Sequence, residues 1–174
     1  MACRLFLLPL WFGLQGAFAA VPSHIATELP EARLSGAGTY RWFGLRIYDA
    51  QLWVGPQGYK ENAAPFALDL RYAHAFTGTK IAERSVAEME QLGLGTQDQR
   101  SNWLAQMRNC FPDVEDGTHL TGVNLPGAGV RYYRDGRAIC DIKDTQFASA
   151  FFAIWLDPRS PAPALRAKLL GQDR

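Results

Sequence analysis

Residues 36–54 of the chain read GAGTYRWFGLRIYDAQLWV, and they carry the strongest structural signal in the sequence. Aromatic and β-branched residues dominate it, which favours two long strands, and a sharp turn is expected at Phe43-Gly44. Arg41 and Arg46 interrupt an otherwise apolar run, together with two tyrosines. Because a guanidinium is costly to bury without a polar or anionic partner, this mismatch is the first indication of function.

The segment that follows changes its hydrophobic period. Residues 66–76 alternate with a period of two, so that one face of a strand carries Phe66, Leu68, Leu70, Tyr72, His74 and Phe76. A helical period then predicts two helices, over Thr77–Leu92 and Gln97–Cys110. The residues before the hairpin, 21–31, predict a polar lead-in with prolines.

The second half of the chain repeats this order. Strands are predicted over His119–Leu125, Val130–Arg134 and Arg137–Ile142, the last two joined by the hairpin dipeptide Asp135-Gly136. Helices follow over residues 145–156 and 162–170. Strands, helices, strands and helices in this order predict an α+β domain with one antiparallel sheet and helices layered on one face.

The first 19 residues have the pattern of a signal peptide. Arg4 provides a short basic region, residues 5–14 are apolar, and Ala17-Phe18-Ala19 places small residues where a signal peptidase cuts. The alternative, a membrane anchor, needs about 20 apolar residues. The sequence therefore predicts a signal peptide over 1–19, a domain over 20–174, and export, with a bacterial periplasm as the best match.

Charge and cysteine content narrow the function further. The chain has 18 basic and 17 acidic residues, and losing Arg4 with the leader balances them. The absence of a basic run argues against nucleic acid and against electrostatic membrane docking. Cys110 and Cys140 remain after cleavage of the leader, either as a disulfide or as two buried thiols.

Sequence patterns for metal, nucleotide or nucleophilic chemistry are missing from the chain. His24, His74 and His119 are far apart and lack the spacing of metal ligands. No metal and no cofactor are therefore expected. On the central hairpin, the guanidinium of Arg41 or Arg46 and the hydroxyl of Tyr48 could together bind a carboxylate, phenolate or enolate oxygen. The alternative is an edge arginine that reaches solvent and a tyrosine that packs in the core.

Several segments resemble the chalcone isomerase fold family, in particular its bacterial, exported branch. The resemblance covers most of the chain after the leader, and its residues are Gly36–Arg41, Ile47–Val54, Asn109–Val114 with Gly117, Asp135-Gly136, Phe147–Leu156 and Leu165–Gly171. It implies an open-faced β-sandwich, in which a large antiparallel sheet is covered on one face by helices and a ligand cleft lies between them.

The resemblance also implies roles for individual residues. The arginine with which the plant enzymes stabilise a phenolate and an enolate matches Arg41, and their threonine falls at Tyr48. Their catalytic tyrosine falls near Lys80-Ile81, where no tyrosine stands, and Tyr72 is the nearby substitute. Other members of the fold bind fatty acids through an arginine and a tyrosine, a role that Arg41 and Tyr48 suit better.

Three functional hypotheses follow. The leading one is an exported, non-catalytic binding protein for a small amphipathic anion, a fatty acid or an aromatic acid, with Arg41 as anchor, Tyr48 as second donor and Tyr72 lining the cleft. The second is an intramolecular lyase of the chalcone isomerase type that uses Arg41 and Tyr48. The third is a structural or interaction module without an open cleft.

Overall fold

A computed structural model describes residues 20–61 and 63–172, so the predicted leader lies outside the described residues. Those residues form six strands and five helices. In chain order they are α1 (Ser23–Glu28), β1 (Arg33–Trp42), β2 (Leu45–Val54), β3 (Phe66–Tyr72), α2 (Gly78–Gln91), α3 (Gln97–Cys110), β4 (His119–Leu125), β5 (Gly129–Arg134), β6 (Arg137–Ile142), α4 (Thr145–Leu156) and α5 (Pro163–Leu169).

The six strands make one antiparallel sheet in the order β1-β2-β3-β4-β5-β6. Both predicted hairpin turns are present: Phe43 and Gly44 join β1 to β2, and Asp135 and Gly136 join β5 to β6. The central residues of both turns have positive φ, as two-residue hairpins of type I′ require. The predicted α+β architecture with a large antiparallel sheet is confirmed.

Local sequence signals explain where the helices begin. The Thr77 hydroxyl accepts a hydrogen bond from the Lys80 amide at 3.2 Å, which caps α2. Thr96 and Gln99 form a capping box at the start of α3. Asp144 accepts from the amides of Gln146 and Phe147 and caps α4, whose side chains are apolar nearly all round and largely buried.

The two faces of the sheet are covered differently. Alternate residues such as Leu52 and Leu68 pack beneath α2, α3, α4 and α5 in the main core. Their neighbours Trp53 and Ala67 face the other side, where they pack with Ile25 and other apolar residues in a smaller cluster. The sheet is therefore covered on one face by the predicted helical layer, and part of its other face is also covered.

The covering of that second face corrects one prediction. The lead-in over residues 21–31 contains a short helix, α1, whose Ile25 is fully buried, with Leu29 buried directly after it. A helix of six residues between two prolines is too short to show a helical period in the sequence, and only packing against the sheet stabilises it.

Two further contacts join the helical layer to the sheet. Helix α5 lies so close to β1 that a Cβ atom at Gly36 would overlap the carbonyl oxygens of Lys168 and Leu169. Cys110, the last residue of α3, forms a disulfide with Cys140 of β6, and their Cα atoms are 5.7 Å apart. Of the two states that the sequence left open for these cysteines, the structure has the disulfide.

Within residues 20–61 and 63–172, no helix has both the length and the hydropathy that a membrane span requires.

Candidate functional site

An apolar cleft opens between the sheet and the helical layer, near the end of the sheet where β1 turns into β2. Its volume is about 330 Å³, within the range of small-molecule sites. Strands β1 to β4 supply one wall, and α2, α4 and the residues before α5 supply the other. The lining residues are Tyr40, Trp42, Ile47, Tyr48, Leu70, Tyr72, Phe76, Lys80, Ile81, Arg84, Ser85, Glu88, Leu120, Phe151, Ile154, Trp155, Pro161 and Ala162.

A row of three tyrosines crosses the sheet side of the cleft. Tyr40, Tyr48 and Tyr72 stand directly opposite one another on β1, β2 and β3. The rings of Tyr40 and Tyr48 stack with centroids 5.1 Å apart, and Tyr72 meets Tyr48 edge to face at 5.9 Å. The row makes one rigid aromatic wall, because each ring supports the next.

Tyr48 is the polar centre of this wall. Its hydroxyl oxygen accepts a hydrogen bond from Trp155 Nε1 on α4 at 2.9 Å. Burial raises the pKa of Tyr48 well above its usual range, and the neighbouring phenols and Glu88 add to this shift. Burial also raises the pKa of Tyr72. Both phenols therefore keep their protons at neutral pH and are hydrogen-bond donors rather than bases.

Helix α2 supplies most of the charged groups of the cleft. Lys80, Arg84 and Glu88 succeed one another at intervals of one helical turn along the cleft wall. Arg84 forms an ion pair with Glu88, whose side chain is buried. Glu88 Oε2 is buried without a hydrogen-bond partner among the described residues. The Ser85 hydroxyl donates to the Ile81 carbonyl oxygen of the same helix at 2.9 Å.

The structure places Arg41 outside the cleft, which corrects the expected position of the anion anchor. Its side chain is exposed, and Nη1 donates to the Gly44 carbonyl oxygen at 3.2 Å. The chain neighbours of Arg41, Tyr40 and Trp42, both line the cleft. Because side chains alternate along a strand, Arg41 points to the other face of β1.

The second arginine of the hairpin is also engaged elsewhere. The guanidinium of Arg46 forms an ion pair with Asp49, and Asp49 accepts a second hydrogen bond from Thr39. Of the three predicted ligand-binding residues, the structure brings Tyr48 and Tyr72 together in the cleft and leaves Arg41 out. Their roles in binding stay predictions.

Two groups of cleft residues escaped sequence reasoning. A two-residue turn at Phe43-Gly44 predicts Tyr40 opposite Ile47, but a bulge between Tyr40 and Arg41 shifts its partner to Tyr48. The bulge has no clear signature in the sequence. Lys80 and Arg84, by contrast, flank the apolar stripe of α2 that the sequence does show, and their proximity to Ile81 and Ser85 was the available signal.

Residues 20–61 and 63–172 contain no group of three histidine, cysteine or acidic residues close enough together to bind a metal ion. Two histidines belong instead to a polar network on the other face of the sheet. There the buried carboxylate of Asp69 accepts from Thr121 and contacts His119, both at 2.7 Å, and Thr121 in turn contacts His24 at 3.0 Å.

The architecture has counterparts among known proteins. A family model described as chalcone isomerase-like matches residues 17–171. No curated protein matches the chain in sequence. The crystal structure of a fatty-acid binding protein of Arabidopsis thaliana is similar to this structure with a TM-score of 0.62. That similarity covers 81% of this chain and 87% of the plant chain at 10% sequence identity, so it shows a shared fold.

Proposed function

The chain belongs to the chalcone isomerase-like family. From the residues that line its cleft, we propose that it binds a small amphipathic anion, a fatty acid or an aromatic acid, without catalysing a reaction. The observation that carries the proposal is the cleft itself, whose wall is apolar and aromatic and whose cations lie along α2. The similar plant structure is that of a fatty-acid binding protein, which supports a ligand of this kind.

The interior of the cleft suits an apolar tail or ring. Next to the tyrosine row, the cleft is lined by side chains without polar atoms: Leu70, Leu120, Phe151 and Ile154. Apolar ligand surface buried there gains roughly 25 cal/mol per Å². Since the aromatic rings already support one another, little side-chain entropy is lost when a ligand enters.

The charged end of the ligand has a different anchor from the one the sequence predicted. Lys80 lines the cleft, is exposed, and forms no ion pair among the described residues. The charge of Arg84 is shared with Glu88. We therefore assign the anion contact to Lys80, with Arg84 beside it and the Tyr48 hydroxyl as a neutral donor farther along the wall.

The isomerase alternative is weaker on this geometry. The arginine that the family resemblance assigns to catalysis is Arg41, whose side chain lies outside the cleft. The position of the catalytic tyrosine is taken by Lys80 and Ile81. An absorbance assay with a chalcone tests this alternative, and turnover that survives in Arg41→Ala would show a different catalytic arrangement. The third alternative required a closed cleft, whereas the described residues leave this one open.

Export to a periplasm remains part of the proposal. The disulfide between Cys110 and Cys140 supports an oxidising compartment, since thiols stay reduced in most cytosols. Cell fractionation and mass determination of the purified protein test it. A mature N-terminus at Ala20 is expected, and an intact leader on a cytosolic protein would contradict export.

The ligand proposal is tested by titrating the protein with dodecanoate and with dodecanol while following tryptophan fluorescence, since Trp42 and Trp155 line the cleft. Lys80→Gln should weaken dodecanoate binding about tenfold, the value of roughly one charge-assisted hydrogen bond, and leave dodecanol binding nearly unchanged.

A matched control is Lys143→Gln, which removes an exposed lysine that does not line the cleft. Its affinity for dodecanoate should equal that of the wild type. Equal losses in Lys80→Gln and Lys143→Gln would contradict the assigned anchor. The binding function would be contradicted if the wild type bound neither compound and native mass spectrometry recovered no ligand with it.

A further inference from the structure

The turn between β1 and β2 exposes an apolar tip. Trp42 is 56%, Phe43 92% and Leu45 52% exposed. The rings of Trp42 and Phe43 pack edge to face on each other, with centroids 5.0 Å apart. Among the described residues the other exposed large hydrophobic side chains are Leu34, at the far end of β1, and Ile139, on β6. The tip, defined as residues 42–45, is therefore a local apolar patch.

Neither the backbone nor the core accounts for the phenylalanine of this tip. Phe43 has φ of 46° and Gly44 has φ of 80°. Such turns favour Asn-Gly or Asp-Gly, and a bulky residue with positive φ is a genuine outlier. The side chain of Phe43 is almost fully exposed, so packing within the described residues does not compensate.

Cations lie on both sides of the turn and in the adjoining cleft, although the sequence contains no basic run. Arg41 and Arg46 flank the turn in the chain, and Lys80 and Arg84 line the cleft together with Trp42. Arg46 is paired with Asp49 and Arg84 with Glu88. Arg41 and Lys80 have no ion-pair partner within residues 20–61 and 63–172, which leaves an excess of positive charge around the tip.

We propose that the tip docks on the surface of a bilayer that contains anionic lipids. Three apolar side chains are far too few for a stable protein interface, which buries about 800 Å² on each partner. They suffice for shallow insertion at the level of the lipid headgroups, where tryptophan is favoured. The surrounding arginines and lysine match the negative surface potential of such a membrane.

The position of Trp42 connects docking to the cleft. Trp42 belongs to the tip and also lines the cleft, so a docked tip brings the mouth of the cleft to the membrane. A lipid-like ligand could then pass between bilayer and cleft without crossing bulk water. This consequence rests on the proposed function, whereas the docking itself depends only on the tip and its cations.

The test is co-sedimentation with vesicles, using the protein as recovered from cells after its N-terminus has been determined, so that an uncleaved leader cannot account for binding. Vesicles contain equal parts phosphatidylglycerol and phosphatidylcholine, or phosphatidylcholine alone. The wild type should bind the anionic vesicles, and more weakly as salt is raised. Phe43→Asn should lower this partitioning about tenfold. Arg41→Gln should lower it about fivefold on anionic vesicles only.

Matched controls separate docking from folding and from ligand binding. Ile139→Asn removes a hydrophobic side chain that is 38% exposed at the opposite edge of the sheet, and Arg137→Gln removes an exposed arginine there. Both should bind vesicles like the wild type. Phe43→Asn suits the turn, so its thermal midpoint should equal or exceed that of the wild type, and its dodecanoate affinity in solution should be unchanged.

Three results would overturn the proposal. The first is a wild type that stays in the supernatant with both kinds of vesicle. The second is equal partitioning of Phe43→Asn and wild type. The third is sedimentation velocity that shows a wild-type dimer and a Phe43→Asn monomer, because the tip would then be an interface between two copies of the chain. Since dodecanoate binding is measured separately, failure of docking and failure of the proposed function are distinguishable.

Discussion

At the scale of single residues, one step along a strand separates a cleft residue from a surface residue. Tyr40 and Trp42 line the cleft, and Arg41 between them donates to the backbone of its own turn. The resemblance to the isomerase fold points to a strand that lines the cleft, but to a residue of that strand whose side chain faces away from the cleft. The cations that line the cleft, Lys80 and Arg84, stand on a helix about 40 positions later.

The contact between His119 and Asp69 predicts that the stability of the fold depends on pH. Its hydrogen bond to Asp69 raises the pKa of the imidazole above 6.5 and outweighs the effect of burial. His119 therefore binds its proton more tightly in the folded protein than in the unfolded chain. This contribution is fully present below pH 6.5 and is lost as the pH rises through the raised pKa.

Replacement of His119 by Asn removes this titration. As the pH rises from 6.5 through the raised pKa, the free energy of unfolding of the wild type should fall relative to that of His119→Asn, as measured by urea denaturation. His24 works in the opposite direction, because burial lowers its pKa, and the charge of His119 contributes to that lowering. The comparison is therefore made in a His24→Asn background. Parallel pH profiles would contradict the stabilising role of the His119–Asp69 contact.

At the scale of elements, the cleft depends on how closely helices approach the sheet. Helix α5 sits on β1 because Gly36 and Gly38 present no side chain on that face. Helix α2 begins at Gly78 against the backbone of Phe111, which sets its cation-bearing turns beside the cleft. Glycine at these positions is therefore a packing requirement rather than a turn signal.

Gly36→Ala should destabilise the protein through this packing. The added methyl group would meet two carbonyl oxygens of α5, which have to shift outward, at a cost of about 1–3 kcal/mol in the free energy of unfolding. Urea denaturation provides the measurement. Gly55→Ala is the matched control, since a Cβ atom there has open space and its φ is not positive. Equal stability of Gly36→Ala and wild type would mean that α5 does not pack on β1 as described.

At the scale of the whole molecule, the disulfide joins the helical layer to the edge of the sheet. It connects the end of α3 with β6 across 30 positions of the chain. Loss of the bond should lower the free energy of unfolding by about 3–4 kcal/mol, chiefly through the entropy of the unfolded chain.

Cys110→Ser/Cys140→Ser and the reduced wild type should show this loss to the same extent, with thermal or urea unfolding as the measurement. A reductant should then have no effect on the double variant, which separates the bond from unspecific effects of the reagent. A wild type whose stability does not respond to reduction would contradict the contribution of this bond.

Those parts of this protein that depend on local physics can be predicted from its amino-acid sequence. Period-two alternation, helical period and two-residue turns act within a few positions, so six strands and four of the five helices could be predicted. Their bounds are close to those observed except in β3, which ends at Tyr72, four residues before the predicted end at Phe76. The layered α+β architecture follows from their order.

The remaining features depend on contacts between segments that are distant in the chain. A strand bulge aligned Tyr40 with Tyr48, packing against the sheet ordered α1, and Cys110 met Cys140. The fold also set Lys80 beside the tyrosine row and turned Arg41 outward. Side-chain direction reverses at each strand residue, and distances across a sheet depend on register, so no single segment holds this information.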